Sequence, residues 1–184
     1  STKATFTLPV GKKPAKPANE ELFRNAREAL PAVLAEAKYI KGSSVSISKD
    51  TLGLETEAEI ILNVKVDKDH HIQHKNPGTD QLIASRLYIE SVDGLKFDDQ
   101  TWPDGKVRRT EAFGKVRELA GEFQIKAPIR IIDSQFAKGP VELRVLFTYQ
   151  SCNDEGMCFP PTGAVGIVRF TADTPGAALV DAST

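Results

Sequence analysis

The chain is poor in the side chains from which metal centres are usually built. It has two cysteines, three histidines and one methionine in 184 residues. A copper chaperone would have only Met157 as a thioether, so that reading is weak. Net charge is nearly absent as well: 24 Lys+Arg against 25 Asp+Glu leave −1 at pH 7. No basic footprint therefore argues for a nucleic-acid partner. No apolar run is long enough to span a membrane. The chain starts at Ser1 with no signal peptide, so a mature form or an excised fragment is expected. A length of 184 residues suits one domain with an appendage, large enough to bury a core.

The two cysteines sit together, at Cys152 and Cys158, with five residues between them. Asn153, Asp154 and Gly156 are residue types that let a chain curl back, so the thiols can reach bridging geometry. A loop this small gains about 2 kcal/mol from closure, against about 4.7 for a 100-residue loop. A staple would gain more by joining distant strands, which leans mildly towards a bridge that opens and closes. Small structural bridges are common in exported proteins, so spacing alone leaves both readings open. A zinc site is disfavoured, because two thiolates need two further ligands and the spacing is longer than a zinc knuckle.

The rest of the chain alternates. Val45–Ser48, Leu54–Ile60, Leu62–Val66, Leu82–Glu90, Phe123–Ile131, Val141–Phe147 and Val165–Phe170 have the period of two of half-buried strands. Asn76-Pro77-Gly78, Asp93-Gly94, Pro103-Asp104-Gly105 and Lys138-Gly139-Pro140 punctuate them as turns. Short strands without helical patterns between them predict an all-β, antiparallel two-sheet sandwich. Before it, Gly11 to Pro17 reads as an extended linker. Asn19 can cap a helix carrying Leu22, Phe23, Ala26, Leu30, Val33, Leu34 and Ala37 at helical spacing, with Pro31 as a kink or a second start. Its apolar stripe is expected to pack on its own domain, a partner surface being the alternative. The expected division is a linker and helical extension over 1–42, the sandwich over 43–171 and a tail over 172–184.

His70, His71 and His74 lie between strand-like runs, where helical metal geometry is improbable, so a strand end is expected. Arg108, Arg109, Asp98 and Asp99 read as solvated loop charges, and Trp102 as a packing residue.

Tyr149-Gln150-Ser151-Cys152, five residues, then Cys158-Phe159-Pro160-Pro161 resembles the signature of the N-terminal periplasmic domain of the thiol:disulfide interchange protein DsbD family. Glu111-Ala112-Phe113-Gly114-Lys115 resembles that family's cap-loop segment, and the resemblance runs over roughly residues 52 to 171. It implies an immunoglobulin-like sandwich and a reversible Cys152–Cys158 disulfide, with no organic cofactor or metal. It implies that Cys158 forms mixed disulfides with partners and that Cys152 resolves them. The implied site environment is Glu111, Phe113, Gly114, Tyr149 and Phe159. The family has an acidic residue and an aromatic where this chain has Thr110 and Ala112, so shielding would fall to Phe113. The resemblance further implies a domain of a protein-disulfide reductase, linked to cytochrome c biogenesis, in the periplasm or another extracytoplasmic place. Such a domain takes electrons from thioredoxin-like proteins by transient mixed disulfide, passes them to oxidised proteins and is tethered to a membrane domain.

No lysine, arginine or histidine lies within the cysteine loop, and Asp154 and Glu155 oppose a thiolate, so no strongly acidified thiol is expected. The competing reading is an exported β-sandwich binding module whose disulfide is purely structural.

Overall fold

Strand β4 (Ala58–Lys65) shows how this sequence makes a sheet: Ala58, Ile60, Leu62 and Val64 are buried and the residues between them are not. Its neighbour β11 (Glu122–Ile131) buries Ile125, Ala127, Ile129 and Ile131. The antiparallel register sets Leu62 opposite Ile125, Ile60 opposite Ala127 and Ala58 opposite Ile129, so apolar side chains meet in pairs on one face. With β2 (Ser44–Ile47) and β8 (Leu95–Phe97) they form a four-stranded sheet in the order β2-β4-β11-β8.

These are strands of a computed structural model, which describes residues 7–8, 34 and 37–176. A second sheet has the order β3-β14-β12-β6, from Thr51–Leu52, Thr162–Ala172, Gly139–Tyr149 and Arg86–Ile89. Across β12 and β14 the register pairs Val141 with Phe170, Leu143 with Val168 and Phe147 with Ala164, large against small. Ile60, Leu62 and Ile129 of the first sheet and Leu143, Phe147 and Val168 of the second belong to one hydrophobic cluster. The result is an all-β sandwich, as the alternation predicts, with the immunoglobulin-like character that the family resemblance implies. A two-residue pair, β1 (Thr7–Leu8) with β7 (Ser91–Val92), is parallel.

Differences from the sequence reading have physical causes. Leu54 does not begin a strand: Glu55 has φ 59°, and the chain turns before β4 starts at Ala58. From Gly163 to Val168 β14 is buried at every residue, so both of its faces are covered there. Leu34 and Ile40 join the core although they precede the expected start of the sandwich. Ala172 ends β14, and Thr174 beyond it is buried, its hydroxyl donating to the Phe136 carbonyl at 2.7 Å. Of the helix expected from Asn19 to Ala37, only residues 34 and 37 are described, and both pack on the core. Among the described residues no helix is long and apolar enough to cross a membrane.

A third sheet, ordered β13-β5-β10-β9, positions both cysteines. Its strands are Ser151–Asn153, His70–Gln73, Gly114–Leu119 and Lys106–Thr110. Two glycines press loops onto β10. A Cβ on Gly78 (φ 93°) would stand 2.7 Å from the Lys115 carbonyl oxygen, and one on Gly105 (φ 73°) would stand 2.6 Å from that of Glu118. No other residue type permits both the backbone angle and the approach.

Candidate functional site

Cys152 lies on β13 and Cys158 follows a tight turn, and their sulfurs are bonded, with Cα atoms 3.9 Å apart. The turn closes on Asn153. The Met157 amide donates to its side-chain Oδ1 at 2.9 Å, and its own amide donates to the Met157 carbonyl at 2.8 Å. Gly156 completes the turn at φ 93°. The Phe159 amide then donates to the Ser151 carbonyl at 2.8 Å. The two sulfur-bearing residues differ in exposure: Cys152 is only 2% exposed, whereas Cys158 is half-buried.

Register decides what surrounds the sulfurs. Cys152 pairs with His71 across β13 and β5, and Gln73 pairs with Glu118 across β5 and β10. Because strand side chains alternate, residues 71 and 73 share a face with 116 and 118, and 108 and 110 follow on β9. That face forms a cleft of about 390 Å³, lined among others by His71, Gln73, Arg108, Glu118, Cys152 and Cys158. The β9–β10 hairpin bends over it and brings Glu111, Ala112 and Phe113 into the same lining. Thr110, which stands where an acidic residue was expected, closes the hairpin tip. Its hydroxyl accepts from the Phe113 amide at 3.0 Å and donates to the Gly114 carbonyl at 3.2 Å.

A chain of charges runs along the floor. Arg108 donates twice to Glu118, from Nε and from Nη2, each at 3.1 Å. The hydrogen bond to Glu118 holds the guanidinium pKa above its ordinary value. Glu118 Oε2, which accepts from Arg108 Nη2, also lies 3.1 Å from His71 Nε2, and His71 Nδ1 lies 3.7 Å from Asp154. Next to them the Gln73 amide Nε2 donates to Cys152 Sγ at 3.3 Å.

Of the residues expected at the site, the cleft brings together Cys152, Cys158, Glu111 and Phe113. Gly114 sits beside it at φ 70°, as the first residue of β10. Tyr149 is fully buried in the core, where its hydroxyl donates to the Lys38 carbonyl. Burial pushes its phenol pKa well up, helped by the charge of Asp67. Phe159 stacks on Tyr39 with ring centroids 4.5 Å apart, and Tyr39 stacks on His70 at 5.0 Å. Gln150 of the motif ties two loops together: Oε1 accepts from the Ile83 amide at 2.9 Å, and Nε2 donates to the Phe159 carbonyl at 3.3 Å.

Sequence reasoning missed His71, Gln73, Arg108 and Glu118. Arg108 is a strand residue in a two-point ion pair, not a free loop charge. The cysteine loop does have a histidine neighbour, delivered by β5 rather than by the loop itself. The available signal was the two-residue spacing of His71 and Gln73. The histidines do not converge: His74 donates from Nε2 to the Pro103 carbonyl at 2.9 Å, and its Nδ1 accepts from the Asn76 amide. Among the described residues no cluster of three or more His, Cys, Asp or Glu could hold a metal ion. Trp102 packs against the core beside Phe147 and His74.

Comparison with known proteins returns no match among curated sequences. Among solved structures, the chain resembles the Neisseria meningitidis DsbD N-terminal domain in the reduced form at 15% identity and TM-score 0.42, over 61% of this chain and 80% of that one. It resembles the N-terminal periplasmic domain of ScsB from Proteus mirabilis at 15% identity and TM-score 0.45, over 74% of this chain and 47% of that one. A cohesin module from a Clostridium perfringens family 33 glycoside hydrolase gives 11% identity and TM-score 0.42, over 74% of this chain and all of that one. The family model described as "Thiol:disulfide interchange protein DsbD, N-terminal" matches residues 36–168, well over half of the chain, and begins earlier than the motifs suggested. The chain therefore belongs to the DsbD N-terminal family of thiol–disulfide exchange domains, and the Cys152–Cys158 disulfide lies within the matched residues.

Proposed function

We propose that Cys158 is the sulfur attacked by partner proteins and that Cys152 is the leaving and resolving thiol. The observation that carries this is the difference in exposure across one bond: both cysteines line the cleft, but Cys152 is 2% exposed and Cys158 is only half-buried. On this reading an incoming thiolate approaches Sγ of the more exposed Cys158. The partner's sulfur forms a new S–S bond to Cys158, the Cys152–Cys158 bond breaks, and its electron pair leaves on Cys152. Attack on that mixed disulfide by the donor's second thiol releases the donor oxidised and leaves Cys158 reduced, each thiolate taking a proton from water. The reduced pair then repeats the sequence in reverse on an oxidised acceptor.

The donor in this reading is a thioredoxin-like dithiol, and the acceptors are oxidised extracytoplasmic proteins. The domain works in the periplasm or a similar compartment, tethered to a membrane domain, as part of a protein-disulfide reductase. It needs no cofactor beyond its disulfide. Phe113 and Glu111, on the hairpin tip over the cleft, form the cap that a docking partner displaces, and Phe159 with Tyr39 gives a firm aromatic edge beside Cys158.

Trapping tests the assignment. Cys152→Ser should capture a thioredoxin-like protein as a stable mixed disulfide through Cys158. Cys158→Ser should capture far less through the buried Cys152. Equal capture by both variants would reverse or void the assignment of roles.

A further inference from the structure

Gln73 is buried to 1% exposure, lines the cleft and points its amide at Cys152. Its backbone is fixed on both sides: the amide donates to the Gln150 carbonyl at 3.1 Å, and its carbonyl accepts from the Ser85 hydroxyl. Its side-chain Oε1 is buried and has no partner among the described residues. A buried amide oxygen without a donor is uncommon and calls for a physical account.

We propose that Gln73 is a catalytic residue of the exchange, stabilising Cys152 as thiolate and as thiol in turn. The proposal rests on the reading that Cys158 is attacked and Cys152 leaves. When the disulfide breaks, the electron pair arrives on a sulfur already 3.3 Å from an N–H donor. That hydrogen bond is stronger to a thiolate than to a disulfide sulfur, so it favours the broken state over the intact one. When the thiolate takes up a proton, the new S–H is a donor. The amide can then turn over and offer Oε1, which has no donor in the disulfide state. One side chain thus matches each state of the sulfur. The charged groups around that sulfur do not replace it: His71 and Arg108 face Glu118, His71 also faces Asp154, and Glu111 sits on the hairpin tip.

The test isolates Cys152 in a Cys158→Ser background and reads thiolate absorbance near 240 nm against pH. Adding Gln73→Leu should raise the midpoint by about one pH unit, a tenfold loss of thiolate at neutral pH. In the protein with both cysteines, Gln73→Leu should slow reduction by a dithiol about tenfold. An unchanged midpoint in a variant with native near-ultraviolet dichroism overturns the proposal. If Gln73→Leu does not fold, the Gln73 side-chain amide resonance of the Cys158→Ser protein decides. It should titrate with the same midpoint as the Cys152 absorbance, and indifference to that titration overturns the proposal. Failure of the role assignment is seen separately, as loss of capture through Cys158 with the Gln73 effect on the Cys152 midpoint still present.

Discussion

Replacing Phe113 with alanine removes the one large apolar side chain at the hairpin tip over the disulfide. The ring is half-buried in a cleft whose lining also includes the apolar Leu82 and Val116. Full burial of a phenylalanine side chain is worth about 1.5–3 kcal/mol, so half-burial holds the tip down by about 1–1.5 kcal/mol. If the tip must lift before Cys158 can be attacked, losing that contact raises the reactive population about fivefold to tenfold. The assay is the rate of reduction by dithiothreitol under pseudo-first-order conditions, quenched with an alkylating reagent and read by mass. Phe113→Leu, which keeps most of the apolar area, should fall back close to the parent rate. A Phe113→Ala rate equal to that of the parent would refute the shielding argument. It would mean that the tip is already open, or that attack reaches Cys158 from the side of Phe159.

Two further outcomes follow from buried polar contacts away from the cleft. Tyr149→Phe leaves the Lys38 carbonyl without its hydroxyl donor, at a cost of about 1 kcal/mol, or about 2–4 °C in thermal unfolding midpoint; an unchanged midpoint would mean that this contact contributes nothing. His74 is buried, and burial, reinforced by the Arg117 cation, holds its pKa below the ordinary value despite its hydrogen bond to Pro103. The unfolded chain therefore takes up a proton first as pH falls, so His74 favours the fold above about pH 6.5 and loses that contribution towards its lower folded pKa. Urea titrations at several pH values should show a shallower acid loss of stability in His74→Gln than in the parent, and parallel profiles would contradict this.

The sandwich was legible because its strands obey a period of two. β4 and β11 bury alternate residues where the sequence alternates. The site sheet was less legible for the same reason. β9 reads Lys-Val-Arg-Arg-Thr and is exposed through its first four residues, so no apolar parity marks it as a strand. β5 buries His71, Ile72 and Gln73 in succession, which breaks the alternation. What the sequence carried strongly was the cysteine pair and its flanking motif, since these are local. Tyr149 illustrates the limit: the motif marks it, but its place in the core under Lys38 is a tertiary fact. Gln73 reaches Cys152, and Glu118 reaches His71, only through the β5–β10 and β5–β13 registers, which no local pattern encodes.

The central claim is that the Cys152–Cys158 bond exchanges in the folded protein. Its most direct test is a redox titration of the purified chain against dithiothreitol and glutathione buffers, with the fold followed in parallel by near-ultraviolet dichroism. The account predicts that the pair equilibrates while the protein remains folded, at a potential less negative than about −300 mV. A bond that resists reduction until the sandwich unfolds would contradict it, and would leave a binding module held by a structural disulfide.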